Sequence, residues 1–221
     1  MSYQWHFDVV LERLDFLLGG LGLTVALTVV AMAVSLVVGL LVSFARLSAV
    51  KPLRMAAAVY SDFLRGTPLL VQILWIYYSL PILTGVTFSP FTSAAIALSL
   101  NVSAFVGEIF RAGIQSIGRG QREAALALGM TPWQAMRRVI LPQSVRRVIP
   151  PLGSIWVSLF KDTAIVSVIA VPELMYRGKV LSIETYRPVE IYTAVALIYF
   201  LVTYPQARGV DRLFERSRVR A

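Results

Sequence analysis

Long apolar runs, separated by short charged stretches, dominate the pattern of this chain. No charged residue occurs in residues 19–45, and further apolar segments cover residues 55–80, 91–117, 148–171 and 191–204. At about 1.5 Å of rise per residue, a helix of about 20 residues crosses the roughly 30 Å of bilayer hydrocarbon. The pattern therefore predicts an all-α, polytopic membrane protein with about five transmembrane helices.

Residues 1–18 follow a different, amphipathic pattern. Charged residues alternate there with aromatic and aliphatic ones, which is typical of a helix that lies in the membrane interface. A cleaved secretory signal would have a basic start and a shorter apolar core. We therefore expect the first span to be retained.

Prolines interrupt the apolar pattern at two places in the first half of the chain. Pro52 follows the first span and predicts its end, and Thr67 followed by Pro68 predicts the cap and first position of a new helix. The second segment is therefore expected to be kinked or restarted near Pro68. Asp62 and Arg65 lie three residues apart and can pair on one helical face before that break.

Polar residues inside the third segment need partners. Asn101 falls near the middle of the membrane, where its amide requires a hydrogen bond from a neighbouring helix or from a polar ligand. Glu108 and Arg111 fall near one membrane interface. Because they lie three residues apart on a helix, we expect them to pair.

The fourth segment carries two adjacent charges, Lys161 and Asp162, a little past its middle. Neighbouring residues on a helix point about 100° apart, so each charge needs a partner of its own. A charge at the bilayer centre costs at least about 2.5 kcal/mol on insertion scales and usually faces a cavity, a transport path or another charge. Two interpretations stay open: a structural ion pair with another helix or subunit, and a site in a path for a polar solute.

Residues 118–142, GRGQREAALALGMTPWQAMRRVILP, hold five charged residues between two apolar segments, so we place them in water. Strong helix formers fill the first half, and Gly129 is expected to close this helix in the left-handed conformation. The helix would present a small apolar surface to a partner. Its members are Ala124, Ala125, Leu126 and Leu128.

A second short helix is expected to follow directly. Thr131 is placed as its N-cap, Pro132 as its first residue, and Gln134 as the third residue that completes a capping box. Pro142 is expected to end it. The sequence thus predicts a helix-turn-helix, which is more structure than a simple connection requires.

Six residues of this loop occur at the spacing of a known motif: Glu123, Ala124, Ala125, Gly129, Leu141 and Pro142. The loop resembles the EAA loop of the permease subunits of bacterial ATP-binding-cassette importers. The strings RGTPLLVQ at residues 65–72 and EIFRAGIQSI at residues 108–117 further resemble the histidine and glutamine permease type of polar amino-acid importer.

The resemblance implies a type I importer permease core, formed by residues 1–221 as a single transmembrane domain. It implies that residues 118–142 lie in a groove of a cytoplasmic ATPase and transmit its motion; we call them the coupling loop. In the Lys-Asp-Thr pattern of the family, matched by residues 161–163, the aspartate lies along the translocation path. Asp162 is therefore placed in the substrate path, together with Ser158, Asn101 and Glu108.

The same resemblance implies the partners of the chain. They are an ATPase dimer that binds ATP and Mg²⁺, a second permease subunit, identical or homologous, an extracytoplasmic amino-acid-binding protein, and the lipid bilayer. The chain itself is expected to be no enzyme and to hold no cofactor, because it contains neither a P-loop nor a nucleophile with its base. A single histidine and no cysteine exclude a histidine cluster and a thiolate metal site.

Composition and charge agree with this class and predict an orientation. Hydrophobic residues make up 57% of the chain and charged residues 15%, and the mean hydropathy is +0.71. The formal charge of +9 is concentrated near residues 46–54, in the coupling loop and in the C-terminal tail up to Arg220. The positive-inside rule places these stretches in the cytoplasm and the N-terminus outside the bacterial inner membrane. The excess is thus a topology signal, and we expect no nucleic-acid partner.

Two other classes of function explain less of the sequence than a permease subunit does. An oligomeric ion channel or proton-coupled carrier could use Asp162 as its ion site, but it would not need a docking pair of short helices. A scaffold that only recruits partners would not need Lys161 and Asp162 in the membrane. Basic, acidic and amide amino acids all remain open as substrates.

Overall fold

The computed structural model describes residues 3–218, with side chains as far as residue 215, and this part of the chain contains helices and no strand. The α-helices are α1 (Asp8–Glu12), α2 (Leu14–Leu47), α3 (Lys51–Gly66), α4 (Leu69–Leu74), α5 (Leu80–Thr84), α6 (Pro90–Gln115), α7 (Arg119–Ala127), α8 (Pro132–Ala135), α9 (Leu141–Asp162), α10 (Leu174–Thr185) and α11 (Pro188–Arg218). π-Helical turns occupy Trp75–Ser79 and Met136–Ile140, and a 3₁₀ segment occupies Thr163–Ile169. Met1 and Arg220, included in the predicted interfacial helix and basic tail, lie outside the described residues.

Four helical runs of the described chain are long and apolar enough to cross a bilayer: Leu14–Leu47, Pro90–Gln115, Pro132–Ile169 and Pro188–Glu215. The pair Lys51–Gly66 and Leu69–Thr84, bent by 105° at its break, passes the same test when taken together, which gives four to five spans. Helices are expected in these spans, because hydrocarbon offers no hydrogen-bond partner and the backbone N–H and C=O groups must bond to one another. The predicted count of about five spans is confirmed.

The second span breaks where the sequence predicted, although its cap is one residue later. Pro68, with φ −62° and ψ 133°, is the cap of α4, whereas Thr67 was expected in that place. The Thr67 hydroxyl accepts a hydrogen bond from Gln72 Nε2 at 2.7 Å, and its carbonyl accepts a second one at 3.2 Å. The Gln72 side chain therefore satisfies backbone and side-chain groups that the break sets free.

Pro142 does not end a helix, and that prediction was wrong. The chain stays helical throughout Pro132–Ile169. A proline in a helix lacks an N–H group, and its ring crowds the carbonyl four residues earlier. The π turns at Met136–Ile140 widen the helix just before this point, and the N–H of Leu141 donates to Met136 O, five residues back. The wider turn accommodates the proline ring.

Two other regions also differ from expectation. Residues 3–6 have no regular structure and α1 covers only Asp8–Glu12, so one continuous interfacial helix over residues 1–18 is not formed. The stretch at residues 172–188, which reads as a charged connection, contains the helix α10. The Glu173 side chain caps this helix, although glutamate is not among the preferred capping residues.

The first of two compact units combines the residues through Ala33 with Thr67–Ser99 and Val157–Gln206. Its apolar core joins α1, α2, α10 and α11 through Val10, Leu17, Leu174, Leu181, Ile191, Ala194 and Val195. The α2 and α10 backbones come close together, since a Cβ at Gly20 would stand 2.9 Å from the Leu174 Cα. Arg177 of α10 then donates to Phe16 O of α2 at 2.7 Å.

The second unit combines Val34–Gly66, Leu100–Trp156 and the residues from Ala207 onward. In this unit α2 and α6 meet backbone to backbone, because a Cβ at Gly39 would stand 2.9 Å from both Gly107 N and Ser103 O. Small residues at such crossings let membrane helices pack closely. α3 joins the pair through Tyr60, whose hydroxyl lies 2.7 Å from Ser103 Oγ.

Replacing Gly39 with leucine should destabilise the protein, because the new side chain would have to displace the α6 backbone. Overpacking of this kind typically costs about 1–3 kcal/mol. Gly22→Leu on the same helix is the matched control, since nothing lies within 4 Å of a Cβ at that position. Thermal unfolding in detergent should show a lower midpoint for Gly39→Leu alone. Equal midpoints for the two variants would contradict a close α2–α6 contact.

Candidate functional site

The first candidate site is the coupling loop, which folds as the predicted pair of short helices. α7 ends in a Schellman motif: Met130 N–H donates to Ala125 O at 3.1 Å, and Gly129 N–H donates to Leu126 O at 3.0 Å. Gly129 has a φ of +79°, a conformation that glycine adopts without strain. The prediction for the end of this helix is confirmed.

α8 begins with the predicted capping box. Gln134 N–H donates to Thr131 Oγ1 at 3.2 Å, and Thr131 N–H donates to Gln134 Oε1 at 2.9 Å. Pro132 occupies the first turn, where its missing N–H leaves no hydrogen bond unmade. The box satisfies two of the N–H groups at the start of a helix, so the second half of the loop has a defined beginning.

The loop exposes an apolar surface, but its composition differs from the predicted one. Ala125 is only 3% exposed, because α7 packs against α8 and the π turns that follow it. The most exposed large apolar side chains of the loop are Leu128 and Trp133, at 79% and 71%. The other predicted coupling residues are exposed: Glu123, Ala124, Gly129, Leu141 and Pro142.

Hydrogen bonds connect the coupling loop to the helices of the second unit. Gln143 Nε2 of α9 donates to Gln121 Oε1 of α7 at 3.4 Å. Arg147 Nη1 of α9 donates to Ser116 O, just after α6, at 2.6 Å. The first bond joins α7 of the loop to α9, and the second, outside the loop, joins α9 to the end of α6.

The second candidate site lies at the end of α9 in the first unit, where Asp162 is partly buried. Ser158, one turn earlier, is exposed and hydrogen-bonds to the Asp162 carboxylate. Lys161 is exposed as well. Among the described side chains, neither Lys161 nor Asp162 forms an ion pair with another residue. Three polar side chains thus share one turn of a membrane-spanning helix without a structural ion pair to account for them.

α4 packs against Thr163–Ile169, the segment that directly follows Asp162. α4 contains the last part of the string RGTPLLVQ, and residues 161–163 carry the Lys-Asp-Thr pattern. Two segments that each include part of a stretch resembling amino-acid permeases therefore lie in contact in the first unit. The sequence alone did not indicate this contact.

Asn101 finds its partner on a neighbouring helix. Its Nδ2 donates to Leu64 O at 3.1 Å, and the side chain is 9% exposed. Because α3 ends at Gly66, the Leu64 carbonyl is among the last four, which have no partner within the helix. The neighbouring-helix alternative thus explains the amide, and a role of Asn101 in the substrate path stays a prediction.

Glu108 belongs to a charge network in the second unit. Arg111 Nε donates to Glu108 Oε2 at 3.0 Å, and a second guanidinium N–H donates to the other carboxylate oxygen, so the predicted pair is confirmed. Arg46 of α2 stands 3.9 Å from Glu108 and 3.8 Å from Asp62. The expected pair of Asp62 with Arg65 is not formed, because Arg65 lies over an aromatic ring of α6. The network ties α2, α3 and α6 together.

Glu173 is a buried carboxylate that sequence reasoning did not identify. Its side chain is 0% exposed and accepts hydrogen bonds from Tyr176 N at 2.7 Å, Met175 N at 2.8 Å, Tyr199 Oη at 3.0 Å and Thr24 Oγ1 at 3.4 Å. Burial raises the pKa of Glu173, while the hydrogen bonds oppose that shift. The carboxylate joins the start of α10 to α2 and α11. The only signal in the sequence was one acidic residue after a proline.

No cluster of three or more metal-binding side chains occurs in the described part of the chain. The acidic residues discussed above bind arginine, hydroxyl or backbone N–H groups. That the chain holds no metal or cofactor stays a prediction.

Comparison with known proteins identifies related sequences over nearly the whole length. Residues 35–218 match the family model described as binding-protein-dependent transport system inner membrane component. The glutamine transport system permease protein GlnP of Escherichia coli (strain K12) is 36% identical over 220 residues, 99% of this chain and 100% of that protein. The L-cystine transport system permease protein TcyB of Bacillus subtilis (strain 168) is 42% identical over 187 residues, 84% of this chain and 80% of that protein.

Solved structures agree with the sequence relatives. A chain in the crystal structure of an amino acid ABC transporter with histidines has a TM-score of 0.91 and 38% identity, covering 97% of this chain and 99% of that chain. A chain of the inward-facing MetNI methionine ABC transporter has a TM-score of 0.76 at 20% identity, covering 93% and 98%. The second likeness shows the fold alone. The predicted permease fold is confirmed.

Removing the Thr131 hydroxyl should loosen the start of α8 without unfolding the protein. Replacement of an N-cap by alanine costs about 0.5–2 kcal/mol, equal to about a 2- to 30-fold change in a local opening equilibrium. Hydrogen exchange of the N–H groups in residues 133–136 should accelerate by that factor in Thr131→Ala. Thr131→Ser keeps the hydroxyl and should exchange at the original rate. The same acceleration in both variants would argue against the capping box.

Proposed function

We propose that this chain, which belongs to the family of binding-protein-dependent transport system inner membrane components, is the permease subunit of an ATP-driven importer of polar amino acids. The observation that carries the proposal is Asp162 on a membrane-spanning helix, bonded to Ser158 and free of an ion pair among the described residues. Relatives of this chain are named as permeases for glutamine, L-cystine and arginine.

Asp162 and Ser158 supply the chemistry that an amino acid requires in the path. The α-ammonium group is common to all amino acids and forms charge-assisted hydrogen bonds to a carboxylate. The Ser158 hydroxyl, one turn earlier, interacts with the same carboxylate. Asn101 and Glu108 are part of the proposed path as well. To bind the substrate, Asn101 would have to release the Leu64 carbonyl, and Glu108 would have to release Arg111.

The coupling loop is the proposed contact with the ATPase dimer, which binds ATP and Mg²⁺ and supplies the energy. Leu128 and Trp133 are large, exposed apolar side chains on a short hydrogen-bonded scaffold, as an insertion into a groove requires. A second permease subunit, identical or homologous, completes the path. An extracytoplasmic binding protein delivers the amino acid.

The orientation follows from the basic stretches of the chain. Residues 46–54, the coupling loop and the C-terminal tail carry most of the positive excess and face the cytoplasm, so the N-terminus lies outside the bacterial inner membrane. The related proteins named above do not support an ion channel or proton-coupled carrier that uses Asp162. Such a protein would also have no ATPase for the coupling loop to contact.

Leu128→Arg should weaken binding of the ATPase and uncouple hydrolysis from transport. A charge buried in a packed apolar contact typically costs about 2 kcal/mol or more, roughly a 30-fold loss of affinity. Val50→Arg is the matched control: Val50 is 56% exposed in the connection between α2 and α3, on the proposed cytoplasmic side. Co-purification with the ATPase and substrate-stimulated hydrolysis are the measurements. Full stoichiometry and coupling in Leu128→Arg would place the contact elsewhere.

Asp162→Asn should impair transport while leaving the assembled complex intact. The variant keeps size and hydrogen bonding but removes the charge. Loss of a charge-assisted bond costs about 1.5–3 kcal/mol, which corresponds to a rise in KM for uptake of about 10- to 150-fold. Asp15→Asn, at an exposed position near the start of α2, is the control.

The rival interpretation makes Asp162 the partner of a buried cation on another subunit. Breaking such a pair costs about 3–5 kcal/mol and reduces stability first. Uptake into vesicles and detergent stability of the complex should therefore be measured together. Normal uptake, or a loss of uptake only in proportion to lost assembly, would remove Asp162 from the path.

A further inference from the structure

Three aromatic side chains stand in a row near the start of the chain: Tyr3, Trp5 and Phe7, here called the aromatic ladder. The Tyr3 and Trp5 rings meet edge to face with centroids 5.4 Å apart. The Trp5 and Phe7 rings stack at 5.5 Å with 4° between their planes. The three side chains are 49%, 58% and 40% exposed. A non-helical segment thus presents alternate residues as one apolar edge.

A buried carboxylate holds this segment on α11 within the first unit. Glu190 is 0% exposed and accepts hydrogen bonds from the Tyr3 hydroxyl at 2.6 Å and from His6 N–H at 3.1 Å. Arg187 Nη1 donates to Gln4 O at 3.4 Å and lies 4.0 Å from the Glu190 carboxylate. These hydrogen bonds therefore hold the aromatic ladder against the start of α11.

An exposed apolar stripe on α2 follows the aromatic ladder and α1 in the chain. Leu14, Leu18, Val25 and Val29 of α2 are 36%, 47%, 41% and 49% exposed. Spacings of four and seven residues place them on one helical face. Because α2 spans the membrane, this face contacts hydrocarbon or another subunit inside the bilayer. The ladder precedes the start of this span in the chain.

Size and charge favour lipid over a soluble protein as the occupant of the ladder surface. An aromatic side chain buries about 150–250 Å² in full, so the exposed part of three rings is roughly 300 Å². A stable protein interface needs about 800 Å² from each partner. Asp8, Glu12 and Asp15 outnumber Arg13 beside the ladder, so anionic headgroups are not attracted to it. Tyrosine and tryptophan collect at the headgroup level through their rings, without a need for charge.

We propose that the aromatic ladder is a membrane anchor that lies in the headgroup region, and that Glu190 sets its depth by holding the segment on α11. The anchor fixes the starts of α2 and α11 at one membrane surface. It does so through rings on a segment without regular structure, whereas the sequence pattern indicated an amphipathic helix.

The test uses Trp5 fluorescence of the full chain in its assembled complex, reconstituted in phosphatidylcholine nanodiscs. The chain has four tryptophans, so subtracting the emission of Trp5→Phe, which keeps a ring, isolates Trp5. Lipids brominated near the headgroup should quench Trp5 more strongly than lipids brominated near the chain ends, and aqueous iodide should quench it weakly. Replacing part of the lipid with phosphatidylglycerol should leave this order unchanged.

The role of Glu190 is tested by loosening its bonds. Glu190→Gln and Tyr3→Phe should each reduce quenching of Trp5 by the shallow brominated lipid and increase quenching by iodide. Tyr192→Phe is the matched control on the same helix, since the Tyr192 hydroxyl bonds to Ser182 and not to Glu190. Unchanged Trp5 quenching in both test variants would overturn the depth-setting role of Glu190.

Two results would overturn the anchor itself. The first is quenching of Trp5 by iodide as strong as that of free tryptophan, without quenching by brominated lipid, which would place the ladder in water. The second is protection from iodide without quenching by brominated lipid, which would place the ladder against protein.

Discussion

Hydrocarbon offers no hydrogen bond to a backbone group, and the rest of this structure depends on that constraint. A continuous helix satisfies this constraint through its own backbone hydrogen bonds. Where a helix is interrupted, side chains must bond to the backbone groups that have lost their partners. The Gln72 side chain donates to Thr67 at the break before α4, and the Asn101 side chain donates to the Leu64 carbonyl at the end of α3. Glu173 caps α10 with both carboxylate oxygens. The polar side chains that are most expensive to bury are thus found where the backbone is least able to satisfy itself.

The features that could be predicted from the sequence are those decided by local chemistry. Gly129 closes α7 because only glycine takes a positive φ freely, and Thr131 caps α8 because its oxygen reaches the N–H of Gln134. The spans follow from apolar length alone. The structural effect of a proline is not decided locally, since the helix is broken just before Pro68 and continues through Pro142. π turns precede Pro142, and such turns depend on packing that hydrophobic periodicity does not report.

The partners of the polar groups could not be predicted, because they depend on which helices are neighbours. Asn101 had two open alternatives, and its bond to Leu64 exists only because α3 lies against α6. Ala125 was expected on the surface, yet the packing of α7 against α8 and the π turns buries it. Glu173 receives bonds from residues up to 149 positions away in the chain. Local patterns contain no information about contacts at such separations.

The second half of the coupling loop, from Pro132 onward, and Asp162 belong to one helical run, Pro132–Ile169. From the cap at Thr131 to Asp162, the run follows roughly 45 Å of helix at about 1.5 Å per residue. A hydrogen-bonded helix resists stretching, so a displacement at α8 passes along it and does not dissipate in a flexible connection. The run can bend at its π turns and at Pro150 and Pro151, where the backbone ladder is altered or incomplete. The residues that interrupt the ideal helix therefore lie between the proposed ATPase contact and the proposed substrate carboxylate, where they can turn an axial push into a change of tilt.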